Sequence, residues 1–314
     1  MEYKAYRLRF QRGVHFGSRS LEESEYTFHA DTLFSALCHE ALKEGEEVLQ
    51  RLYDLTAGGR LLLSDAMPYM GDELYIPKPM LCLHDEEEDL RVRKAYRKLR
   101  YIPACLLQDY LEGHLDAIKE QKRLDQLGTS FVRTMAAVRG KEGKEDGKDL
   151  TEPYRVGIVQ FSGQNGLYLL VGYLEEETMS FFEDLMDRLS FAGLGGKRSS
   201  GLGRFEFDFG EIPDEMAGRL KRDGNTYMSL SVALPAEHEM EAVFQDADFQ
   251  LIKRSGFVAS DHYAEECRRK RDLYVMDAGA CVHRRFCGGI VDVSQGGRHA
   301  VWRYAKPLLM EVDV

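Results

Sequence analysis

No apolar run in this 314-residue sequence is long enough to cross a bilayer. The longest, such as Leu167–Leu174, reach about eight residues, where a spanning helix needs about twenty. The opening MEYKAYRLRF lacks the apolar core of a signal peptide and any myristoylation pattern, so a cytoplasmic chain with no membrane partner is expected. Cysteine is sparse. The six present (Cys38, Cys82, Cys105, Cys267, Cys281, Cys287) include no C-x-x-C pair and read as reduced thiols. Cys281-x-His283-x₃-Cys287, with Cys267 upstream, fits no zinc spacing. No Ser/His/Asp arrangement and no acidic pair with metal-site spacing stands out, so no catalytic residue, metal, cofactor or small-molecule substrate is expected. Positive charge is also in deficit, 42 Lys and Arg against 53 Asp and Glu, for a net charge of −11. That excludes a uniformly basic nucleic-acid coat but not a local basic site.

What is present is a soluble-type balance, 44% hydrophobic and 30% charged, with length for two domains of ordinary size. The charge is uneven. Acid gathers at Glu44–Glu47, Asp85–Asp89, Glu175–Asp187 and Glu237–Asp248. Base gathers in Arg91–Arg100, six basic residues without an acid, and over Gln250–Pro307, eleven against six. Each run alone also suits an ordinary solvated face.

Alternation of Tyr6, Leu8 and Phe10 with Arg7 and Arg9 predicts a strand over 3–12. Residues 31–44 predict an amphipathic helix, with Asp31 as N-cap and Gly45 as stop. A short strand follows near Arg60–Ser64. Residues 78–150 read as an insertion with helical pieces around 86–100 and 105–126. Strands Tyr154–Phe161 and Leu167–Leu174 are expected to form a hairpin through Asn165-Gly166. A helix over 177–190 and a strand Arg204–Phe209 complete a β-α-β-β-α-β series. After a joint at 211–224, alternation at Met228, Leu230, Val232 and Leu234 restarts the pattern. A helix at 237–247 and strands near 249–258, 272–276 and 306–314 follow. The fold class expected is therefore α+β, two ferredoxin-like (RRM-like) domains, residues 1–210 with the insertion and residues 211–314.

The most informative stretch is the loop Gly193–Gly203, which holds five glycines, Lys197, Arg198, Ser199 and Ser200. Glycines let backbone amides approach an anion closely, and the basic and hydroxyl side chains add charge and donors. A Walker loop is excluded: Arg198 stands where Ser or Thr is needed, Phe191 where the first Gly is needed, and the loop runs helix-to-strand. The Rossmann fingerprint fails at Arg198 as well. A plain flexible turn remains the alternative.

Gly193-Leu194-Gly195, five residues, then Gly201-Leu202-Gly203 resembles the glycine-rich loop of the RAMP superfamily of CRISPR RNA-binding proteins. Three further segments are similar to one RAMP family, the fourth Csm subunit of type III-A effector complexes. They are Gly13–Gly17 with Leu21–Glu25 and His29–Leu37, then Tyr274–Gly279, and Val301–Lys306. Ala30 and Ala278 stand where that family often has Ser. The resemblance implies a non-catalytic subunit that binds and caps the 5′ repeat-derived handle of the guide RNA. It also implies docking on the large palm-domain subunit and on the first backbone RAMP subunit.

On this reading Gly195, Gly196, Lys197, Arg198, Ser199, Ser200 and Gly201 hold handle phosphates. His15 and Phe16, beside Gly17, are candidates to stack on or bond to unstacked bases, with structural packing as the competing role. The resemblance implies that the insertion, with Arg133, Thr134 and Arg139, forms a thumb-like projection that displaces a base at the handle–guide junction; a solvated basic loop is the alternative. Lys253, Arg254 and Gly256 look like a second anion site, and Arg268–Arg271 like another or a solvated turn. His29 reads as part of the helix cap. Two other functions stay open: a metal-independent guide-RNA-processing ribonuclease using His15 or His29, and a scaffold that touches only protein.

Overall fold

The computed structural model describes all residues except 18–19, 82–89, 139–143, 146–147, 150, 261 and 314. It is a mixed α and β structure in which the strand pairs between described residues are antiparallel. The amino-terminal part runs β1 (Glu2–Phe10), β2 (Phe16–Gly17), β3 (Ser24–Glu25), α1 (Ala30–Glu44), α2 (Glu46–Ala57), β4 (Leu61–Leu63), β5 (Met67–Met70) and β6 (Glu73–Pro77). It continues with α3 (Leu90–Lys98), β7 (Tyr101–Pro103), α4 (Leu107–Leu111), α5 (Ala117–Leu124), β8 (Gly128–Val138), β9 (Lys144–Glu145), β10 (Lys148–Asp149) and β11 (Thr151–Phe161). Then come β12 (Gly166–Tyr173), α6 (Glu176–Ala192) and β13 (Phe205–Gly210). Among the described residues no helix is long and apolar enough to cross a membrane.

The main sheet has the order β13-β1-β12-β5-β6-β7, with β4 also paired to β12. β1 alternates as expected: Tyr6 and Leu8 are fully buried against Leu33, Phe34 and Leu37 of α1 and Phe182, Leu185 and Leu189 of α6. The other face is covered too. Ala5, Tyr69, Tyr168 and Leu170 pack with Tyr96, Tyr110, Met228 and Met310, so the helical insertion and the carboxyl-terminal part close it off from water.

The carboxyl-terminal part runs α7 (Asp214–Lys221), β14 (Tyr227–Ser229), α8 (Met240–Phe244), β15 (Leu251–Arg254), β16 (Leu273–Met276), β17 (Cys281–Val282), β18 (Gly289–Asp292), β19 (Trp302–Ala305) and β20 (Leu309–Glu311). β14 lies between β17 and β20, while β15 pairs with β16 and β18 with β19. The helix expected over 237–247 shortens to the five residues of α8.

The expected hairpin through Asn165-Gly166 does not form. β12 pairs with β1, β4 and β5, whereas β11 pairs along its whole length with β8, from Thr151 opposite Val138 to Phe161 opposite Gly128. Gly166 is required for contact rather than for a turn: a Cβ there would lie 2.5 Å from the Leu8 carbonyl oxygen and 2.8 Å from the Tyr69 hydroxyl. Asn165 instead donates its side-chain amide to the Gln126 carbonyl at 3.1 Å. The strand β8 and the helix α2 are additions to the elements expected from the sequence.

The start of α1 also departs from expectation. His29, not Asp31, occupies the N-cap position, and it caps through no side-chain bond. The Ala30 amide is satisfied by Asp65 Oδ1 at 2.8 Å; the same oxygen accepts the Val232 amide at 3.0 Å, and Asp65 Oδ2 accepts from His29 Nδ1 at 2.6 Å. Asp31 is buried and takes the Arg254 guanidinium bidentately, Nη2 to Oδ1 at 2.7 Å and Nε to Oδ2 at 2.9 Å, with Arg303 Nη1 at 2.6 Å. A buried charge persists only when paired and hydrogen-bonded in this way. Burial pushes the Asp31 carboxyl up, but Arg254, Arg303 and His29 outweigh it and hold it down at about 2. Its stabilising contribution is therefore present above the ordinary aspartate value of 3.8 and is lost as pH falls through about 2. Replacing Asp31 by Ala strands two guanidiniums and should lower unfolding stability by about 3–5 kcal/mol. Urea unfolding at neutral pH reads that loss, and the variant should lack the wild-type decline between pH 4 and 2.

Candidate nucleic-acid interface

The loop that follows α6 is set by backbone geometry. Gly193, Gly195, Gly201 and Gly203 all have φ between 79° and 87°, which glycine alone adopts without strain. The chain returns on itself where the Leu194 amide donates to the Gly203 carbonyl at 2.9 Å, and a Cβ on Gly203 would fall 1.9 Å from the Leu194 carbonyl oxygen. Leu194 and Leu202 are buried at the two ends of the loop. Leu194 joins the main core; Leu202 packs with Val156 and Ile158 of β11 and with Phe131, Met135 and Tyr154 on the β8–β11 ribbon.

One side of the loop rests on the segment after β1. The Gly196 amide donates to the His15 carbonyl at 2.8 Å and the Gly203 amide to the Gly13 carbonyl at 3.2 Å. That segment is in turn tied to the ribbon, by reciprocal Val14–Val159 bonds and by His15 Nδ1 donating to the Gly157 carbonyl at 2.7 Å. His15 and Phe16 are each only 5% exposed. Phe16 packs between Phe10 and Phe28, with ring centroids at 5.8 and 5.0 Å. Neither ring offers an open face to a base, so the stacking role gives way to seating the loop. Gly17 is exposed and pairs with Ser24 in the short β2–β3 ladder.

The tip of the loop is what faces water. Lys197 has left-handed backbone, φ 58°, and leads into a tight turn over Arg198–Ser200. A left-handed residue followed by a right-handed turn points successive amides into one concavity, a geometry suited to anions. Among the described residues the amides of Gly195, Lys197, Arg198 and Ser199 have no acceptor within the protein. Those of Gly196, Ser200 and Gly201 are engaged internally, which takes the Gly196 and Gly201 amides out of the expected phosphate-holding set and leaves Ser200 its hydroxyl. Lys197 Nζ sits 4.3 Å from the centre of the Tyr154 ring. Arg12, absent from the expected set, lays its guanidinium 3.1 Å from where a Gly201 Cβ would be. Among the described residues Arg12, Lys197, Arg198 and Arg204 have no carboxylate within 4 Å. Several cations elsewhere are neutralised, as in Lys4–Glu176, Arg51–Glu177, Arg100–Glu25 and Arg188–Glu44.

The ribbon register divides the insertion residues. Arg133 pairs across from Val156 and shares the loop's face with Phe131 and Met135, its guanidinium 5.7 Å from the Phe131 ring. Thr134 pairs with Arg155 and lies on the opposite face, where Arg155 meets Glu22 at 3.3 Å. Arg139 lies outside the described residues.

The expected second anion site is not available. Arg254 is committed to Asp31, and Lys253 pairs with Asp272 at 2.7 Å. Gly256, φ 138°, lies two residues beyond the end of β15, half-buried, with nothing within 4 Å of its Cβ position. The sequence pattern Lys-Arg-Ser-Gly could not reveal that its arginine faces a carboxylate more than two hundred residues away. His29, Asp65 and Asp277 bring three possible metal donors within 4.8 Å of one another. Both Asp65 oxygens and His29 Nδ1 are already engaged at the start of α1, Asp277 accepts the Ala278 amide at 2.9 Å, and burial raises the Asp277 carboxyl toward its neutral form. The cluster is a helix anchor by its bonding. Cys267, His283 and Cys287 do not join it or any other such group among the described residues.

Gly203→Ala should cost about 1–3 kcal/mol, since it forces a side chain into positive φ and into the Leu194 carbonyl. Hydrogen exchange of the Leu194 amide reports it directly and should accelerate.

Comparison with known proteins adds an independent line. Residues 222–312 match the family described as CRISPR Csm4 C-terminal domain. The chain is 38% identical to the Mycobacterium tuberculosis protein named CRISPR system Cms protein Csm4, covering 99% of this chain and 98% of that one. It is 36% identical to the protein of the same name from Streptococcus thermophilus, covering 100% of both. Its fold matches a chain in the crystal structure of a Csm3-Csm4 subcomplex of the type III-A CRISPR-Cas interference complex, with TM-score 0.66, 18% identity and 98% coverage of each chain. It also matches one in a Csm1-Csm4 cassette in complex with pppApA, with TM-score 0.59, 19% identity and coverage of 99% of this chain and 98% of that one.

Proposed function

This chain belongs to the Csm4 family of type III-A CRISPR complex subunits, and on that premise we propose that it binds and caps the 5′ repeat-derived handle of the guide RNA without catalysing a reaction. The observation that carries this reading is the loop tip: unengaged amides and unpaired cations fixed beside the base of a long two-stranded ribbon. Backbone amides and cations of this kind position phosphates without reading sequence. Lys197 and Arg198 hold the handle backbone, Arg12 flanks it, and the ribbon carrying Arg133 is the thumb-like projection.

Two ferredoxin-like (RRM-like) units, 1–210 and 211–314, are part of the proposal. In the first, β1, β4, β12 and β13 serve as strands one to four and lie in the order four-one-three-two. In the second, β14 lies between β20 and β17, and Asp248 bridges to Cys281 at the outer side of β17. The β18–β19 pair stands where the second crossover helix would be.

The relatives assembled as Csm3-Csm4 and Csm1-Csm4 support docking on the first backbone subunit and on the large palm-domain subunit. A non-catalytic role is supported by the state of the two candidate histidines, His15 buried with Nδ1 on a carbonyl and His29 bound to Asp65.

In the assembled complex, Lys197→Ala with Arg198→Ala should weaken retention of handle-bearing guide RNA. It should also flatten the salt dependence by about 1.4 log units per log unit of salt, at about 0.7 per lost contact. An unchanged slope would remove these side chains from the phosphate seat. Repeat RNA incubated with the chain in EDTA should stay intact; cleavage abolished by His29→Ala would instead establish the ribonuclease reading.

A further inference from the structure

We infer that the outer face and free edge of the β15–β16 ladder, built on Leu251, Phe257 and Tyr274, form the surface on which the large palm-domain subunit docks, by adding an extended apolar segment with a carboxylate at the end that meets Phe257. The inference rests on the docking reading above and gives it a place in the chain that no motif marked.

From Leu251 to Val258 the side chains alternate between exposed and half-buried. The inward set is taken: Ile252 packs with Val232, Val275 and Ala305, and Arg254 holds Asp31. The outward set is not. Phe257 is 60% exposed and Leu251 49%, and across the ladder Tyr274, opposite Lys253, is 55% exposed. Phe249, packed on Phe244 with ring centroids at 5.0 Å, continues the row and is 36% exposed. Large apolar side chains scattered over a surface are ordinary, but gathered on one face of one ladder they mark an interaction site. The backbone agrees. β15 pairs with β16 alone. The Asp277 amide donates to the Gln250 carbonyl at 2.9 Å, so Gln250, Ile252 and Arg254 turn their backbone groups toward β16. Leu251 and Lys253 turn theirs to the opposite edge, where among the described residues their amides meet no acceptor in the protein. An open strand edge beside an apolar face is a template for an added strand.

Charge selects the occupant. Lys253, in the middle of the face, is held by Asp272 at 2.7 Å, and Asp246 and Asp248 stand exposed at the Phe249 end. A polyanion such as RNA meets repulsion there, and Leu251 offers it no ring to stack on. A second copy of this chain is opposed by the net charge of −11. At the other end Phe257 bridges to Arg269, and Arg268 and Arg269 are exposed with no carboxylate within 4 Å among the described residues. A protein segment with apolar side chains in its middle and a carboxylate beside these guanidiniums satisfies every part of the face, aromatic and arginine groups being the usual anchors of such contacts. Of the two partner subunits, the backbone one must meet the chain where handle passes into guide, beside the β8–β11 ribbon. The large subunit carries no such tie, and the ladder is left for it.

The test measures binding of the full chain to the purified large subunit and, separately, to the backbone subunit. Phe257→Ser with Tyr274→Ser removes two exposed rings; Arg269→Glu reverses one charge. The double variant should weaken binding to the large subunit about tenfold or more. Arg269→Glu should weaken it too and flatten its salt dependence, with backbone-subunit binding and guide-RNA retention unchanged. Hydrogen exchange on the unsubstituted chain gives a second readout: the Leu251 and Lys253 amides should slow when the large subunit is added. If both variants bind the large subunit as wild type does, or those amides do not slow, the surface is overturned while the docking reading stands. If the wild-type chain binds neither subunit, the docking reading itself fails. Loss of backbone-subunit binding or of RNA retention, with the large subunit still bound, would give the face to another partner and overturn the assignment. So would a concentration-dependent self-association that the double variant abolishes. Urea unfolding of the variants, run alongside, separates loss of fold from loss of contact.

Discussion

The Asp31 carboxylate is the point through which the two parts of the chain are joined. It sits in the first turn of α1, and the groups that neutralise it, Arg254 and Arg303, come from β15 and β19. Asp65 repeats the arrangement with neutral donors, taking the Ala30 amide from one part and the Val232 amide from the other. One buried carboxylate is thus set against two guanidiniums and the other against backbone amides of both parts, so the start of α1 is held by the carboxyl-terminal part. Because α1 also contributes Leu33, Phe34 and Leu37 to the main core, the junction fixes the sheet and the helices on it as one body.

The glycine loop inherits its position from this body. α6 brings the chain to Gly193, β13 takes it away at Phe205, and the His15 and Gly13 carbonyls hold the middle. Leu202 fastens the loop to the root of the β8–β11 ribbon, and Lys197 over Tyr154 extends that contact toward solvent. Loop and ribbon therefore share one hydrophobic cluster. Several cations on the outer faces are paired with carboxylates, whereas among the described residues Arg12, Lys197, Arg198 and Arg204 around the loop are not.

Local patterns were legible in the sequence where the energy is local. The strand at β1, the helices α1 and α6 and the glycine loop all followed from periodicity and turn chemistry, because their side chains face one core. The failures share a cause. Asn165-Gly166 reads as a hairpin only if its flanking strands want each other, and β11 found a longer partner in β8. Asp31 reads as a cap only while Arg254 and Arg303 are out of view. Arg254 reads as an anion site for the same reason, and Phe16 as a base-stacking ring until Phe10 and Phe28 enclose it. Arg12 and Tyr154 carried no motif, since their place at the loop comes from strand pairing alone.

The position of β1 has a consequence for the order in which the protein can come into being. It is a central strand of the sheet, yet both its neighbours, β12 and β13, lie more than 150 residues later in the chain. One edge waits for β12, which ends at Tyr173, and the other for β13, which ends at Gly210, while Asp31 waits for Arg303, 272 residues after it. At ordinary rates of synthesis that wait is roughly 10–60 s. During it the nascent chain exposes an apolar strand and an uncompensated carboxylate. The junction therefore closes only once β19 is made, and until then a central strand and a carboxylate destined for burial stand open to chaperones and proteases.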